Sequence, residues 1–523
     1  MVAVARVAAA GLLAGLGVAV FAGPATAAGS TFTVANVNAA GAGSLNKAIA
    51  DADAHAGADV IVFAASTNGH PLTVSETIAG DVAVKGNGRG VTIISGTLDV
   101  NTDGASQKVT ATFSDLSVTS FDFNSDEHSS STATASNVNV GSVDVNSDFS
   151  STSAGTFNSV NVSDSVDVNS DNSSKSTGSF TGGSIQGAID LNSDFSSTST
   201  GTFSGMTISG GTDVNSDNSS TTNGSFTNVR VTGRGVDANS DSSTTKVSVT
   251  NSTFTGTQQE PLTVNDPGTT ATVFGSTFAN NSDSLDAVLG AQLHITNSTI
   301  TGNAEGGVRS NGIVTLQNVT IAKNRGPAVT ALSGSMSFGD SILGPNTLGS
   351  GDTSQECISN TQSFVSHGGN VSDDASCHPI AGDHPHAASN LGALGSNGGA
   401  TQTMLPLAGS AAIDGGVAAG CPSTDQRGAR RPQDANGDGK AVCDSGAVEL
   451  AAATGSATPT TASPTTTAAP VSAAATPTTV TAPAELPRTG SSSAPLALIG
   501  AVVLAIGLAL RYGSRRRRYD PRS

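Results

Sequence analysis

Apolar residues recur along the middle of the chain at a nearly constant spacing of 21 to 24 residues. Around each of them, apolar and polar positions alternate, and turns rich in Gly, Ser, Asn and Asp separate the short apolar runs. Alternation is typical of strands with one buried face, and a fixed period indicates stacked coils. The pattern predicts an all-β solenoid. The recurring positions are Phe113, Ala135, Phe157, Phe180, Phe203, Phe226, Val249, Val273, Ile295, Leu316 and Phe338.

A second repeat, Asp-x-Asn-Ser-Asp, lies in register with the first. Its copies begin at Asp122, Asp144, Asp167, Asp190, Asp213 and Asp237, and a related block begins at Asp99. Because successive side chains of a strand point to opposite faces, Val143 and Val145 are predicted to face the core and Asp144 and Asn146 to face outward.

The stacked repeat would place like charges about 4.8 Å apart on neighbouring coils. One hypothesis is that calcium, which prefers carboxylate oxygens, bridges successive coils. The alternative is a hydrated acidic face without metal. The candidate calcium ligands are Asp144, Asp148, Asp167, Asp171, Asp190, Asp194, Asp213 and Asp217.

The repeats resemble the right-handed parallel β-helix proteins of the pectate-lyase-like superfamily. The segments 249–254 (VTNSTF) and 316–321 (LQNVTI) carry the resemblance. It implies a β-helix over 97–346, preceded by an N-terminal cap and first coils over 29–96. A helix from about Ser44 to Ala52 and a strand over 58–63 are the predicted elements of that cap.

All four cysteines lie in one late region, at Cys357, Cys377, Cys421 and Cys443. An even count in a secreted chain indicates disulfides, and the order along the chain suggests Cys357–Cys377 and Cys421–Cys443 among three possible pairings. A zinc site is the alternative. Its candidate ligands beside the cysteines are His367, His378, His384 and His386.

The late region also carries a series of short blocks, among them Gly368-Gly369-Asn370, Ala412-Ile413-Asp414-Gly415-Gly416 and Asp444-Ser445-Gly446-Ala447. In this order they resemble the choice-of-anchor family of C-terminal domains, which implies an architectural domain over 347–450. Within it, Asp434, Asn436 and Asp438 resemble the first half of an EF-hand calcium loop, although Ser445 stands where a bidentate Glu is expected. A plain turn is the alternative.

The two ends of the chain resemble secretion and sorting signals. Residues 1–28 are typical of a secretory signal peptide, for which a membrane anchor is the alternative. Residues 451–485 are rich in Thr, Pro and Ala and predict a disordered stalk. Leu486, Pro487, Arg488, Thr489 and Gly490, the apolar segment 494–510 and a basic tail together resemble the sortase signal of Gram-positive bacteria. The resemblance implies cleavage after Thr489 and covalent attachment to peptidoglycan, with a membrane helix at 494–510 before sorting.

The charge adds a constraint on partners. The chain carries −18; removal of Arg6 with the signal takes away one positive charge, and cleavage after Thr489 removes six arginines and Asp520, a further net +5, which leaves −24. Such a surface disfavours nucleic acid and anionic lipid. Together with the sorting signal and the repeats, this charge leads us to expect a secreted, wall-anchored protein that acts in adhesion, surface structure or ligand display. We expect it to need no cofactor and to bind an unknown surface ligand or glycan.

An extracellular polysaccharide lyase or glycoside hydrolase is the alternative, since the resembling superfamily includes both. A repeated stripe of outward residues favours a surface over a single active site. The basic residues near the repeats show no motif; they are Arg230, Arg234, Lys246, Arg309, Lys323 and Arg325. Ser/Thr runs such as 196–200 suggest a hydroxyl face for ice or glycan, with ordinary solvated turns as the alternative.

Overall fold

The computed structural model describes residues 28–104, 106–347, 355–360, 364–417 and 419–453. The described strands pair in parallel, each with the equivalent strand one coil further along the chain, and so wind into a β-solenoid. The all-β parallel solenoid is thereby confirmed. The predicted signal peptide, most of the stalk, the sorting signal and the apolar segment 494–510 lie outside the described residues. Among the described residues, no helix has the length and hydropathy of a membrane span.

The N-terminal part contains the predicted cap. One α-helix, α1, spans Leu45–Ala54, and the Ser44 side chain caps it by accepting a hydrogen bond from the Lys47 N–H at 3.2 Å. The helix buries Leu45 and Ile49 against the first strands. A short 3₁₀ turn follows at Ala65–Thr67.

The described strands follow one another along the chain, from Thr31–Val34 to His384–Pro385. The first strands are Thr31–Val34, Asp59–Phe63, Pro71–Thr73, Val82–Lys85, Ile93–Asp103, Lys108–Asp126, Ser130–Ser147, Thr152–Val162, Val166–Ser170, Lys175–Ile185, Ile189–Ser193 and Thr198–Ser204. The next strands are Thr207–Ile208, Thr212–Asp217, Thr221–Thr227, Arg230–Val231, Val236–Asp241, Thr244–Thr250, Thr253–Thr255, Leu262–Asn265, Thr269–Phe274, Thr277–Ala279, Leu285–Val288 and Gln292–Thr296. The last described strands are Thr299–Thr301, Val308–Ser310, Ile313–Gln317, Thr320–Ala322, Val329–Ala331, Ser335–Gly339, Ile342–Leu343, Cys357–Ser359, Val365–Ser366, Val371–Ser372 and His384–Pro385.

The recurring apolar positions stack in one column, as the spacing predicts. Phe113 pairs with Ala135, Ala135 pairs with Phe157, and the column continues without interruption to Phe338. We call the strands that carry this column the frame ladder. The rings of Phe157 and Phe180 stack with centroids 4.4 Å apart, and both are buried.

Glycine makes room for these rings. Gly155, Gly178, Gly201 and Gly224 stack two residues before the phenylalanine of their coils. A Cβ on Gly155 would lie 2.5 Å from the Phe157 ring, which is too close for any side chain. The Gly-x-Phe spacing is therefore a packing requirement of the core.

Two further ladders complete each coil. The aspartate ladder carries the Asp-x-Asn-Ser-Asp repeat and runs from Asp99 to Asp237. The groove ladder is a column of outward-facing residues, one from each coil. Each of them lies two positions after a residue whose backbone is left-handed. Its column runs through Ser117, Asn139, Asn161, Ser184, Thr207, Arg230, Thr253, Thr277, Thr299, Thr320 and Ile342.

The strand ladder does not stop at 346, where the sequence suggested a boundary between repeats and a late domain. Val329 pairs with Cys357, Ile342 pairs with Val371, and Val371 pairs with His384. The solenoid therefore continues into the late region. Both suggested disulfides, Cys357–Cys377 and Cys421–Cys443, are present.

The rest of the late region packs back along the solenoid. Residues 400–417 and 419–447, which we call the return segment, cover three threonines of the groove ladder. Thr277 donates to the Gln402 carbonyl at 2.6 Å, Thr299 donates to the Gln426 side chain at 2.6 Å, and Thr320 accepts from the Ala447 N–H at 2.9 Å. Repeats and late region thus share one packed unit.

Candidate binding faces

The aspartate ladder places its carboxylates in one column on the outside of the solenoid. Asp122, Asp144, Asp167, Asp190, Asp213 and Asp237 pair in register, and the residues on either side of each point inward. Val166 and Val168, for example, are buried while Asp167 is partly exposed. The sequence-based prediction of valine inward and aspartate outward is therefore confirmed. Successive carboxylates are about one strand spacing apart, ~4.8 Å.

The packing raises the pKa values along this column. Burial, followed by the charges of Asp122 and Asp167, raises the pKa of Asp144 to about 7, and Asn146 lowers it in part. Burial and the charges of Asp167 and Asp213 raise the pKa of Asp190 to about 6. These two aspartates each have a carboxylate above and below, so protonating them relieves repulsion on both sides.

Several oxygens of the ladder make no hydrogen bond within the part of the chain that the structure describes. They are Oδ1 of Asp122, Asp144, Asp190, Asn146, Asn169 and Asn192. Buried oxygens that lack a partner are costly, so this column carries an unfavourable term within the described residues.

A second acidic column borders the ladder but is already hydrogen-bonded. Asp148 accepts from the Phe149 N–H at 2.7 Å and from Asn172 on the next coil at 2.8 Å. Asp194 repeats this arrangement with Phe195 and Asn218. The turns leave Phe149 and Phe195 about half exposed, on alternate coils. These exposed aromatic residues were missed by the sequence analysis, although their Asp-Phe-Ser context distinguishes them from the Asp-Asn-Ser turns.

The carboxylate column ends in an ion pair. Beyond Asp237, the same column continues through Thr263, Asp286 and Arg309. Arg309 donates to Asp286 through Nε at 3.0 Å and also through its terminal nitrogen. Arg309 therefore neutralises the last carboxylate of the face.

The structure brings the candidate calcium-loop residues together in a turn. The carboxylate of Asp434 accepts from the N–H groups of Gly437, Asp438 and Gly439 at 2.8 to 3.0 Å. Asn436 accepts from the Asp438 N–H at 2.9 Å. These bonds fit the turn alternative. Calcium binding at this turn and on the aspartate ladder stays a prediction, and the described residues contain no group of three or more His, Cys, Asp or Glu side chains arranged to hold a metal.

The zinc alternative loses its sulfur ligands, because all four cysteines form disulfides. Of the candidate histidines, His384 instead bonds to the Gly415 carbonyl at 2.9 Å and His378 packs against Phe364.

The Ser/Thr runs form a hydroxyl face only at alternate residues. Thr198, Thr200 and Thr202 point outward, whereas Ser197 and Ser199 are buried. Ser199 bonds to Ser170 across the interior at 2.8 Å. Binding of ice or glycan to the outward half stays a prediction.

The uncovered part of the groove ladder forms a shallow groove. One cavity of about 480 Å³ is lined by Asn139, Asn161 and Gln186. A second cavity of about 360 Å³ is lined by Arg230, Asn251, Thr253 and Ala400. Ala400 belongs to the return segment, so the groove begins where that segment ends. The groove was not foreseen from the sequence.

Comparisons with known proteins give little more. No family model matches the chain, and no curated protein matches it. A solved structure that resembles it is the catalytic domain of a GH87 alpha-1,3-glucanase, in a substituted form in complex with nigerose. That match has a TM-score of 0.33 and 12% sequence identity, and covers 64% of this chain and 68% of the other. The solenoid assignment therefore rests on the strand register of this chain.

Proposed function

We propose that the chain is a secreted protein, covalently anchored to a Gram-positive cell wall, whose solenoid acts in adhesion, surface structure or ligand display. The aspartate ladder supports this best, because it presents one carboxylate per coil from Asp99 to Asp237 on a continuous outward face. A repeated face suits a surface that binds along its length. Sortase and peptidoglycan would be the covalent partners, and the unknown ligand would be cationic or bound through cations.

Anchoring is tested by fractionating cells that express the full chain. Wild-type protein should be released by muramidase, which cuts peptidoglycan, whereas a Thr489→Ala variant should be lost from that fraction. Thr481→Ala, a change in the predicted stalk, is the matched control. Recovery of mature protein from the cytosol, or wall attachment that survives Thr489→Ala, would contradict the proposal.

Binding by the ladder is tested with a triple variant, Asp144→Asn, Asp167→Asn and Asp190→Asn. These substitutions keep the shape and remove the charge. A lysine-rich peptide should bind the wild type at low salt and bind the triple variant at least tenfold more weakly. Thermal unfolding with calcium and with a chelator tests the calcium hypothesis separately; identical curves would remove it.

Glycan cleavage is the second candidate, and one observation favours it. A carboxyl with a pKa of about 7, as Asp144 has, is protonated often enough near neutral pH to act as a general acid. The ectodomain would then release reducing ends or unsaturated products from neutral or acidic polysaccharides. Reproducible cleavage that disappears in Asp144→Asn would replace the adhesion proposal.

A further inference from the structure

The uncovered groove repeats the binding groups that hold the return segment. Asn297-Ser298-Thr299 lies under that segment, and the same tripeptide recurs uncovered at Asn251-Ser252-Thr253. Thr253 occupies the column of Thr277 and Thr299 on neighbouring coils. Asn251 and Asn297 share the left-handed backbone, with φ of 51° and 47°.

At the covered site, these groups hold a turn of polypeptide, in which the Asp425 N–H donates to the Ala429 carbonyl at 2.8 Å and Thr424 pairs with Arg430 in an antiparallel bridge. Asn297 donates its Nδ2 to the Thr424 carbonyl at 2.7 Å, and Thr299 donates its hydroxyl to the Gln426 side chain at 2.6 Å. One coil further, Asn318 likewise donates to the Asp444 carbonyl at 3.2 Å. The recognised features are a main-chain carbonyl and, two residues later, a side-chain amide.

At the uncovered site, the same groups are free. Within the described residues, the Nδ2 of Asn251 and the hydroxyl of Thr253 have no hydrogen-bond partner, and both side chains are partly exposed whereas Asn297 and Thr299 are fully buried. The Asn251 amide lies over Gly275, whose carbonyl accepts from Thr401 of the return segment at 2.8 Å. The free groups therefore adjoin the last contacts of a surface that already binds polypeptide.

We infer that Asn251 and Thr253 bind a turn-forming polypeptide segment of a partner molecule, with a main-chain carbonyl on Asn251 and a Gln or Asn side chain on Thr253. Arg230 is exposed and pairs with Thr253 on the adjacent coil. Its guanidinium selects a carboxylate in that segment. The groove continues past Thr207 toward Asn139, which gives the bound segment room to run along the solenoid. This site lies on a different face from the aspartate ladder and goes beyond the proposed function.

The test uses the full chain and a labelled peptide that copies residues 422–430, which contain Thr424 and Gln426. A second peptide carries leucine in place of that glutamine. The variant Asn251→Asp with Thr253→Val removes both donors, and Asp is one of the residues that tolerate the left-handed conformation. Thr227→Val, an outward hydroxyl on the frame ladder, is the matched control.

Binding is measured by fluorescence anisotropy. We expect the copied peptide to bind the wild type and the Thr227→Val control equally. The double variant should weaken binding about tenfold or more, as the loss of two hydrogen bonds implies, and the leucine peptide should bind comparably weakly. Circular dichroism and the melting temperature check that the double variant is folded.

Three outcomes would overturn the inference. The first is no peptide binding at millimolar concentration, and the second is binding that the double variant leaves unchanged, which would place the peptide at the covered site instead. The third is binding of neutral oligosaccharides, and not of the peptide, in the groove, which would make the groove a glycan site. None of these results bears on wall anchoring or on the lysine-rich probe of the aspartate ladder.

Discussion

Asn346 donates its side-chain amide to the Glu356 carboxylate at 2.7 Å, and its main-chain N–H donates to the same carboxylate at 2.9 Å. This pair closes a buried ladder in which every asparagine after the first accepts from the asparagine one coil earlier. The ladder comprises Asn281, Asn303, Asn324 and Asn346. Glu356 therefore terminates an internal row of hydrogen bonds that ties the coils together.

Loss of this terminator should destabilise the C-terminal coils. Glu356→Ala leaves two buried donors of Asn346 without a partner, so we expect the free energy of unfolding to fall by about 1–3 kcal/mol. Chemical denaturation measures the change. Glu305→Ala, an exposed glutamate on a nearby turn, is the control and should be close to neutral. Equal stability of both variants would show that the ladder does not need its terminal acceptor.

The aspartate ladder should make stability depend on pH. Asp144 and Asp190 have pKa values of about 7 and about 6 in the folded chain, against 3.8 for an ordinary aspartate. The folded state thus binds more protons between pH about 4 and 7, and its free energy of unfolding falls as the pH rises through this window.

We expect the double variant Asp144→Asn and Asp190→Asn to flatten that pH dependence. The gain at pH 8 should be on the order of 1 kcal/mol per site at most, because both side chains are partly exposed to solvent. Melting curves from pH 4.5 to 8 measure it, with Asp51→Asn on α1 as the control. A wild-type melting temperature that rises with pH across the window would contradict the prediction.

Gly201 should not tolerate a side chain. A Cβ at this position would lie 2.5 Å from Leu191 and 3.0 Å from the Phe203 ring. Gly201→Ala is therefore expected to cost about 1–3 kcal/mol through overpacking. The outward Thr202→Ala is the control, and Leu191→Val, which shortens the contacting side chain, should recover part of the loss. Urea denaturation of the three variants decides whether the Phe stack needs the glycine column.

The Cys421–Cys443 disulfide should hold the return segment in place. It closes a loop with a sequence separation of 22 residues, and removing such a constraint costs about 3 kcal/mol in the chain-entropy description. The variant Cys421→Ser with Cys443→Ser should be cut faster by protease between these positions. Peptide mapping after limited proteolysis measures this. Cleavage that begins equally in the frame ladder would mean that the disulfide stabilises the whole solenoid instead.

The sequence by itself determined the coil. The column from Phe113 to Phe338, the inward valines beside Asp144, and the cap helix after Ser44 all match the structure, because each depends on local alternation repeated at a fixed period. Such a pattern has one way to bury its apolar face, which is to stack each coil on the next. Both disulfide pairs likewise agree with the order of the cysteines along the chain.

Only the tertiary structure decided which face of the coil is covered. Thr299 and Thr253 lie in the same sequence context, yet Thr299 is buried under Gln426, 127 residues later, whereas Thr253 faces the groove. Contacts over such separations follow no period and leave no local signal. The raised pKa of Asp144 has the same origin, because it depends on how deeply the stacked coils remove each carboxylate from water.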